Sequence, residues 1–355
     1  MGSRRAGLCL LFWLLLGVAA QADEPSAVVF TYNRFGERGM AITNVTMAQF
    51  DAHLAELQSG KYTVLPLPQI IEALREGRNL PDRTVAITID DAYRSFHDRA
   101  WPKLRKAGLP FTLFVWTDAI DHKLKDYISW DEIRALAKAG VTIGNHGAAH
   151  HDMALQTPEA NRADIEKASQ RFEAELGARP TLFAYPYGGY GKRERDLLAE
   201  FGFAAAFGHH SGVAYPGADL LALPRFALNE KHGGMARFKT AARALPLPAR
   251  DITPADPVLD PGNNPPIFGF TVTGDIRGLA GLGCFASHQQ AALKVERLGG
   301  GRTRRADAPA QRVEVRIPTA FPPGNHRVNC TMPVLGPTNS GRWRWLGQPF
   351  TVPRE

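Results

Sequence analysis

The chain has 355 residues, 44% of them hydrophobic and 22% charged, with a formal net charge of +7. That length accommodates one large domain and a smaller one, and the composition excludes wholesale disorder. The positive excess permits attraction to a cell-envelope surface or an anionic polymer, but the basic residues are spread out rather than striped, so nucleic-acid binding is not expected.

Residues 1–22 read as a secretory signal peptide. Arg4 and Arg5 form a basic start, an apolar core follows, and Ala20-Gln21-Ala22 is a small-residue cleavage site before Asp23. An uncleaved anchor is the alternative, but the apolar run is shorter than the roughly 20 residues that cross a bilayer. The expected location is therefore periplasmic or extracellular. Cys9 leaves with the signal. The remaining Cys284 and Cys330 read as one disulfide in an oxidising compartment, with two buried free thiols as the alternative.

Between 23 and 243, short β-rich apolar runs alternate with amphipathic helical segments. Strands are predicted at 28–32, 84–89, 111–116, 141–144, 181–185, 204–207 and 221–226, and helices at 47–57, 96–107, 131–139, 158–176 and 193–201. Thr46 with Gln49 and Ser129 with Glu132 fit capping boxes, while Gly108 and Gly140 follow helices as C-terminal caps. This alternation implies an α/β fold of parallel strands covered by helices, either a barrel or an open sheet. A Pro-rich stretch over 244–266 reads as an extended linker. From 267 to 355, short β-like runs between Gly, Pro and Asn turns point to an all-β, sandwich-like domain in which Cys284 and Cys330 bridge strands.

The chemistry concentrates at two predicted strand ends, which is where a parallel barrel carries catalytic residues. Asp90-Asp91 closes one apolar run, and His146 to His150 closes another. His146 and His150, four apart, share one face of any helical turn, and Asp91 can supply a third ligand from the neighbouring strand end. That donor set suits a divalent metal, zinc first and cobalt or nickel next. A metal lowers the pKa of bound water toward ~7, and Asp90 is then free to act as general base. An isolated Asp-Asp is usually a solvated turn, and His-x-x-x-His alone is weak. Together, at successive strand ends, they specify a metal site.

Thr88-Ile89-Asp90-Asp91-Ala92-Tyr93 resembles the Thr-Phe-Asp-Asp-Gly motif of polysaccharide deacetylases, the NodB-homology or carbohydrate esterase 4 family. Gly144-Asn145-His146-Gly147-Ala148-Ala149-His150 resembles that family's Gly-Asn-His-Ser/Thr-x-x-His motif, and Phe183-Ala184-Tyr185-Pro186-Tyr187-Gly188 its Arg-Pro-Pro-Tyr-Gly motif. The resemblance runs from about 28 to 238. It implies a distorted (β/α) barrel and metal-dependent removal of acetyl groups from N-acetylglucosamine polymers. By motif, Asp90 corresponds to the base, Asp91, His146 and His150 to the metal ligands, and the backbone N–H of Tyr187 to an oxyanion donor. The rings of Tyr185 and Tyr187 either line a sugar groove or pack at the strand end.

Three departures stand out. Gly147 replaces a hydroxyl residue, which removes a minor hydrogen bond behind the first histidine. Ala184 stands where the family often has an arginine that holds the base; Arg225, in Leu223-Pro224-Arg225-Phe226, is the candidate to reach that carboxylate from a later strand, with a surface arginine as the alternative. The family's late Leu-x-His motif is not intact. His210 is taken as the general acid and His232 as second choice. His151 reads as a neighbour of the ligand turn, and His53, His97 and His122 read as surface residues.

These features together predict an exported, metal-dependent deacetylase acting on N-acetyl groups of an N-acetylglucosamine-containing glycan. Peptidoglycan or an O-acetylated glycan is the alternative substrate, and a catalytically inactive glycan-binding protein the alternative class.

Overall fold

A computed structural model describes residues 25–274, 276–298, 310–336, 339 and 341–354. The expected signal peptide and the arginine cluster at 302–305 lie outside them. Among the described residues no helix is long and apolar enough to cross a membrane.

The N-terminal part is a curled parallel sheet. Its strands run in the order Phe226–Ala227, Ala27–Tyr32, Thr84–Asp90, Thr112–Val115, Thr142–Asn145, Leu182–Ala184 and Ala205–Phe207, with Thr63–Val64 pairing beside Thr84–Asp90. Leu223 forms a parallel bridge to Phe207, and Phe226 pairs with Phe30, so one short segment spans the gap between the last strand and the first. The result is the distorted (β/α) barrel that the alternation of elements predicts. Ala27–Tyr32 and Thr84–Asp90 are buried along their whole length, as parallel strands covered on both faces must be.

The helices at Met47–Leu57 and Pro158–Leu176 occupy the expected residues, and both capping boxes form. The segment expected as one helix over 96–107 opens with a π-helical turn, Phe96–Ala100, before Trp101–Ala107. Pro102 has no N–H to give to the preceding turn, which widens accordingly. Leu67–Glu76, Thr117–Asp121 and Met235–Ala242 are helices that the sequence reading did not assign. The strand expected over 221–226 shortens to Phe226–Ala227, because Asp219 accepts a hydrogen bond from the Leu221 N–H and folds Leu220–Ala222 into a 3₁₀ turn.

The C-terminal part is all β. Its strands run in the order Leu245–Pro246, Trp343–Val352, Gly324–Pro333, Gly283–Ala286, Ala292–Leu298, Gln311–Arg316, Ile267–Val272 and Ala249–Thr253. Two of these strands come from the stretch 244–266 that reads as an extended linker, so that stretch is sheet for part of its length. Val258 also bridges Thr351, which brings the far edge back toward the near one. The folded sheet encloses a single core that includes Phe268, Phe270, Val313, Val315, Val328, Met332 and Phe350. Cys284 and Cys330 face each other on adjacent strands and are joined as a disulfide. The sheet docks on the barrel through the Trp345 ring, edge-on to Phe226 at 5.0 Å, and through Arg342, which reaches Asp82 at 2.8 Å.

Candidate metal and catalytic site

The candidate metal ligands and Asp90 emerge at C-terminal strand ends of the barrel. Asp91 follows Thr84–Asp90, and His146 follows Thr142–Asn145. Asp91 Oδ1 lies 3.5 Å from His146 Nε2 and 3.1 Å from His150 Nε2. Ligand atoms of the three residues all fall within 4.8 Å of one another. The fit to a cation is chemical as well as geometric, because Asp91 Oδ1 is buried and accepts no hydrogen bond among the described residues. A carboxylate oxygen left bare in front of two imidazole nitrogens is the donor set that a divalent metal takes. Burial opposes ionisation of Asp91, but the facing imidazoles of His146 and His150 prevail and hold its carboxyl well below the usual range. Burial likewise pushes His146 down, while Asp91 and Asp90 outweigh it and raise the imidazole.

The surroundings aim these candidate ligands. The carbonyl of Ala184 lies 2.6 Å from His146 Nδ1 and accepts a hydrogen bond from it, leaving Nε2 to face Asp91. Asn33 Nδ2 donates to Asp91 Oδ2 at 2.7 Å, which leaves Oδ1 for the histidines. The ring of His150 stands between Trp116 and Tyr187, with centroids 5.3 Å and 4.7 Å away.

The histidine segment is an irregular turn rather than helix. Asp164, on the helix Pro158–Leu176, accepts the backbone N–H of Ala148 at 2.9 Å and of Ala149 at 2.7 Å. Gly147 has a φ of 75°, and a Cβ added there would meet Asp164 Oδ2 at 2.5 Å. The glycine is therefore what the turn requires. In place of a lost hydroxyl, the Asp164 carboxylate itself occupies the space and binds the loop.

Asp90 is fully enclosed. Arg225, also enclosed, grips it with two hydrogen bonds, NH1 to Oδ1 at 2.7 Å and NH2 to Oδ2 at 2.8 Å. The same guanidinium donates to Gly208 O and Thr88 Oγ1, so it is fixed on three sides. His209 Nε2 lies 3.2 Å from Asp90 Oδ2. Burial alone would raise the Asp90 carboxyl, yet the charge of Arg225 and the contact with His209 hold it well below the usual range.

Arg225 thus reaches Asp90 across the position where Ala184 offers nothing. His210, expected as the acid, does not reach Asp90; its neighbour His209 does. The chain leaves the strand Ala205–Phe207 at Gly208, and the His210 carbonyl is tied to the Arg225 N–H at 2.9 Å, which turns the two side chains apart. His210 packs toward Tyr190, buried, with burial lowering it to about 3. His232 lies in the loop before Met235–Ala242 and does not contact Asp90. Tyr187 is 57% exposed beside His150, whereas Tyr185 is enclosed with its hydroxyl on Leu221 O, so only Tyr187 is placed to line a groove. His53 is not a surface residue: it is fully buried between Tyr32 and the Gly233 carbonyl. Asn33, Asp164, His209 and Trp116 are site residues that sequence reasoning missed. Asn33 and Trp116 carried a signal, directly after and at the end of predicted strands, and His209 shared with His210 the place past the predicted strand 204–207 but was passed over for its neighbour; Asp164 carried none.

A model of the polysaccharide deacetylase family matches residues 77–206. The chain is 23% identical over 192 residues to the Bacillus subtilis protein YxkH, an alignment covering 54% of this chain and 68% of that one. It is 24% identical over 201 residues to a poly-beta-1,6-N-acetyl-D-glucosamine N-deacetylase of Escherichia coli, covering 45% of this chain but only 30% of that longer protein. Among solved structures, IcaB from Ammonifex degensii superposes with a TM-score of 0.57 at 22% identity, over 62% of this chain and 99% of that one. At that identity the likeness speaks for the shared barrel.

Proposed function

We infer that the chain belongs to the polysaccharide deacetylase family, hydrolases of carbon–nitrogen bonds, and on that premise we propose that it removes acetyl groups from N-acetylglucosamine residues of an exported glycan. The observation that carries this reading is the convergence of Asp91, His146 and His150 beside the Arg225-held Asp90 at one end of the barrel. The name of the E. coli relative supports a poly-N-acetylglucosamine as substrate.

Asp91, His146 and His150 would hold a divalent metal, with zinc favoured by two imidazoles and one carboxylate. When bound, such an ion supplies an activated water at neutral pH and positive charge beside the acetamide carbonyl. Asp90 takes the proton from the attacking water. Arg225 keeps that carboxylate ionised and its two oxygens fixed while it waits. His209, 3.2 Å from Asp90 Oδ2, returns a proton to the leaving amine. Tyr187, at the exposed rim, offers its backbone N–H to the developing oxyanion and its ring to the sugar.

The signal-like first 22 residues support export and cleavage before Asp23. The joined pair Cys284–Cys330 supports an oxidising compartment. N-terminal sequencing of the mature protein checks the cleavage site.

Acetate release from N-acetylglucosamine oligomers is the decisive assay. The expected result is turnover that disappears with a chelator, returns with zinc, and is absent in Asp90→Asn. Oligomer binding without acetate release under any divalent metal would favour the inactive binder instead.

A further inference from the structure

The C-terminal sheet reaches the rim of the candidate site. Asn325, on the strand Gly324–Pro333, donates through Nδ2 to Asp152 Oδ2 at 2.6 Å, just past the histidine turn. Thr351 Oγ1 donates in turn to Asn325 Oδ1 at 2.7 Å, so the amide is held from both sides. Gly189 allows this close seam, since a Cβ there would lie 2.6 Å from Asp152 Oδ1 and 2.7 Å from Asn325 Oδ1. The seam leaves a cavity of about 130 Å³, lined by Tyr187 and His209 from the barrel and by His326 and Arg327 from the sheet, among others.

Arg327 is only partly exposed, and among the described residues no carboxylate pairs with its guanidinium. Arg237, on the helix Met235–Ala242, lies within reach of its charge, and the Arg237 Nε is buried without a hydrogen bond. Burial lowers both guanidinium groups, and Arg327 lowers Arg237 further. A cation withdrawn from water without a counter-charge is costly, and two such cations near one another compound the cost. An anion entering the cavity relieves Arg327, the guanidinium that lines it.

We propose that this seam cavity is a subsite for an anionic group, of carboxylate or phosphate chemistry, carried by the glycan beside the acetamide to be cleaved, with Arg327 as its recognition residue. The inference rests on the deacetylase reading above and narrows its substrate. His209 links the two places, touching Asp90 on one side and lining the cavity on the other. The occupant therefore belongs to the same stretch of glycan as the scissile amide. A planar guanidinium fork matches a carboxylate or phosphate through paired hydrogen bonds, which a lysine cannot reproduce.

The test uses the full-length, zinc-loaded protein on neutral N-acetylglucosamine oligomers and on oligomers of equal length with carboxylates on alternate sugars. The acidic series is expected to have a kcat/KM higher by about tenfold or more at low salt, carried by KM, as one charge-assisted hydrogen-bonded pair provides. The preference should shrink with added salt, collapse in Arg327→Gln and survive in part in Arg327→Lys. Arg316→Gln, which removes an exposed arginine paired with Glu296, should keep the full preference. Equilibrium binding of both series to Asp90→Asn gives the same comparison without turnover. Equal kcat/KM for the two series, or a preference that persists in Arg327→Gln, overturns the proposal and leaves the deacetylase reading standing. Competitive inhibition by inorganic phosphate with no preference between the series would assign the cavity to free anions and also overturn it. Absence of acetate release from either series counts against the deacetylase reading, while the binding comparison still decides the role of Arg327.

Discussion

Arg225 closes on Asp90 with both prongs of its guanidinium, across 135 positions of chain, and neither side chain is exposed to solvent. The pair supplies, from the residue just before the strand Phe226–Ala227, the cation that the position of Ala184 lacks. Removing the cation strands a buried carboxylate. Arg225→Ala should lose about 3–5 kcal/mol of stability in urea unfolding. Arg225→Lys keeps the charge but not the fork, and should fold while losing kcat/KM by roughly 10² through misplacement of the base. Wild-type kcat/KM in Arg225→Lys would show that the forked geometry is immaterial.

The Gly147–Asp164 contact makes a second prediction. Gly147→Ser restores the hydroxyl that the family motif would carry, yet its Cβ would collide with Asp164 Oδ2, 2.5 Å away, at a φ of 75°. It should therefore weaken the site rather than improve it. Asp164→Asn frees the loop that carries His150 and should cost about 10–100-fold in metal affinity. Zinc titration with a competing chelator measures both, and unchanged affinity in Asp164→Asn would detach the helix Pro158–Leu176 from ligand positioning.

The two adjacent histidines separate cleanly in kinetics. His209→Gln should lower kcat by about 10²–10⁴, the usual range for a lost proton donor. His210→Gln, which makes no contact with Asp90, should be affected far less. The reverse ranking would return the proton transfer to His210.

His53 gives a pH prediction remote from the candidate metal ligands. Burial lowers this imidazole from 6.5 to about 4, against the pull of the Gly233 carbonyl. The folded state thus binds its proton less readily than the unfolded chain. The resulting stability is fully present above pH 6.5 and is lost as pH falls through the window from about 6.5 to about 4. The size of the loss is about 3 kcal/mol. Urea midpoints across that window should slope less steeply in His53→Phe than in the wild type, the remaining slope coming from other buried histidines such as His210.

The candidate ligand set was legible because its logic is local: Asp91, His146 and His150 sit within a few residues of strand ends that the apolar runs already mark. Arg225 was legible as a candidate because the family resemblance calls for an arginine on the base, which Ala184 cannot supply. The choice between His209 and His210 was not, since it depends on how the chain turns after Gly208 and on a hydrogen bond to a residue fifteen positions later, at Arg225. Asp164 was hidden for a similar reason, because its role comes from the packing of a helix against a loop. Pro68 concealed the helix Leu67–Glu76 by standing in its first turn, where proline is tolerated. The prolines of 244–266 suggested a free linker although neighbouring residues join the sheet edges.

Asp91, His150 and Tyr187 all hold a left-handed backbone, with φ of 76°, 55° and 58°. Side-chain-bearing residues adopt it at a cost of about 1–2 kcal/mol each. The working end of the barrel is therefore a burden on the fold that carries it. A library selected only for heat resistance, with no demand for turnover, should drift toward glycine or asparagine at these three positions and lose activity as it gains robustness.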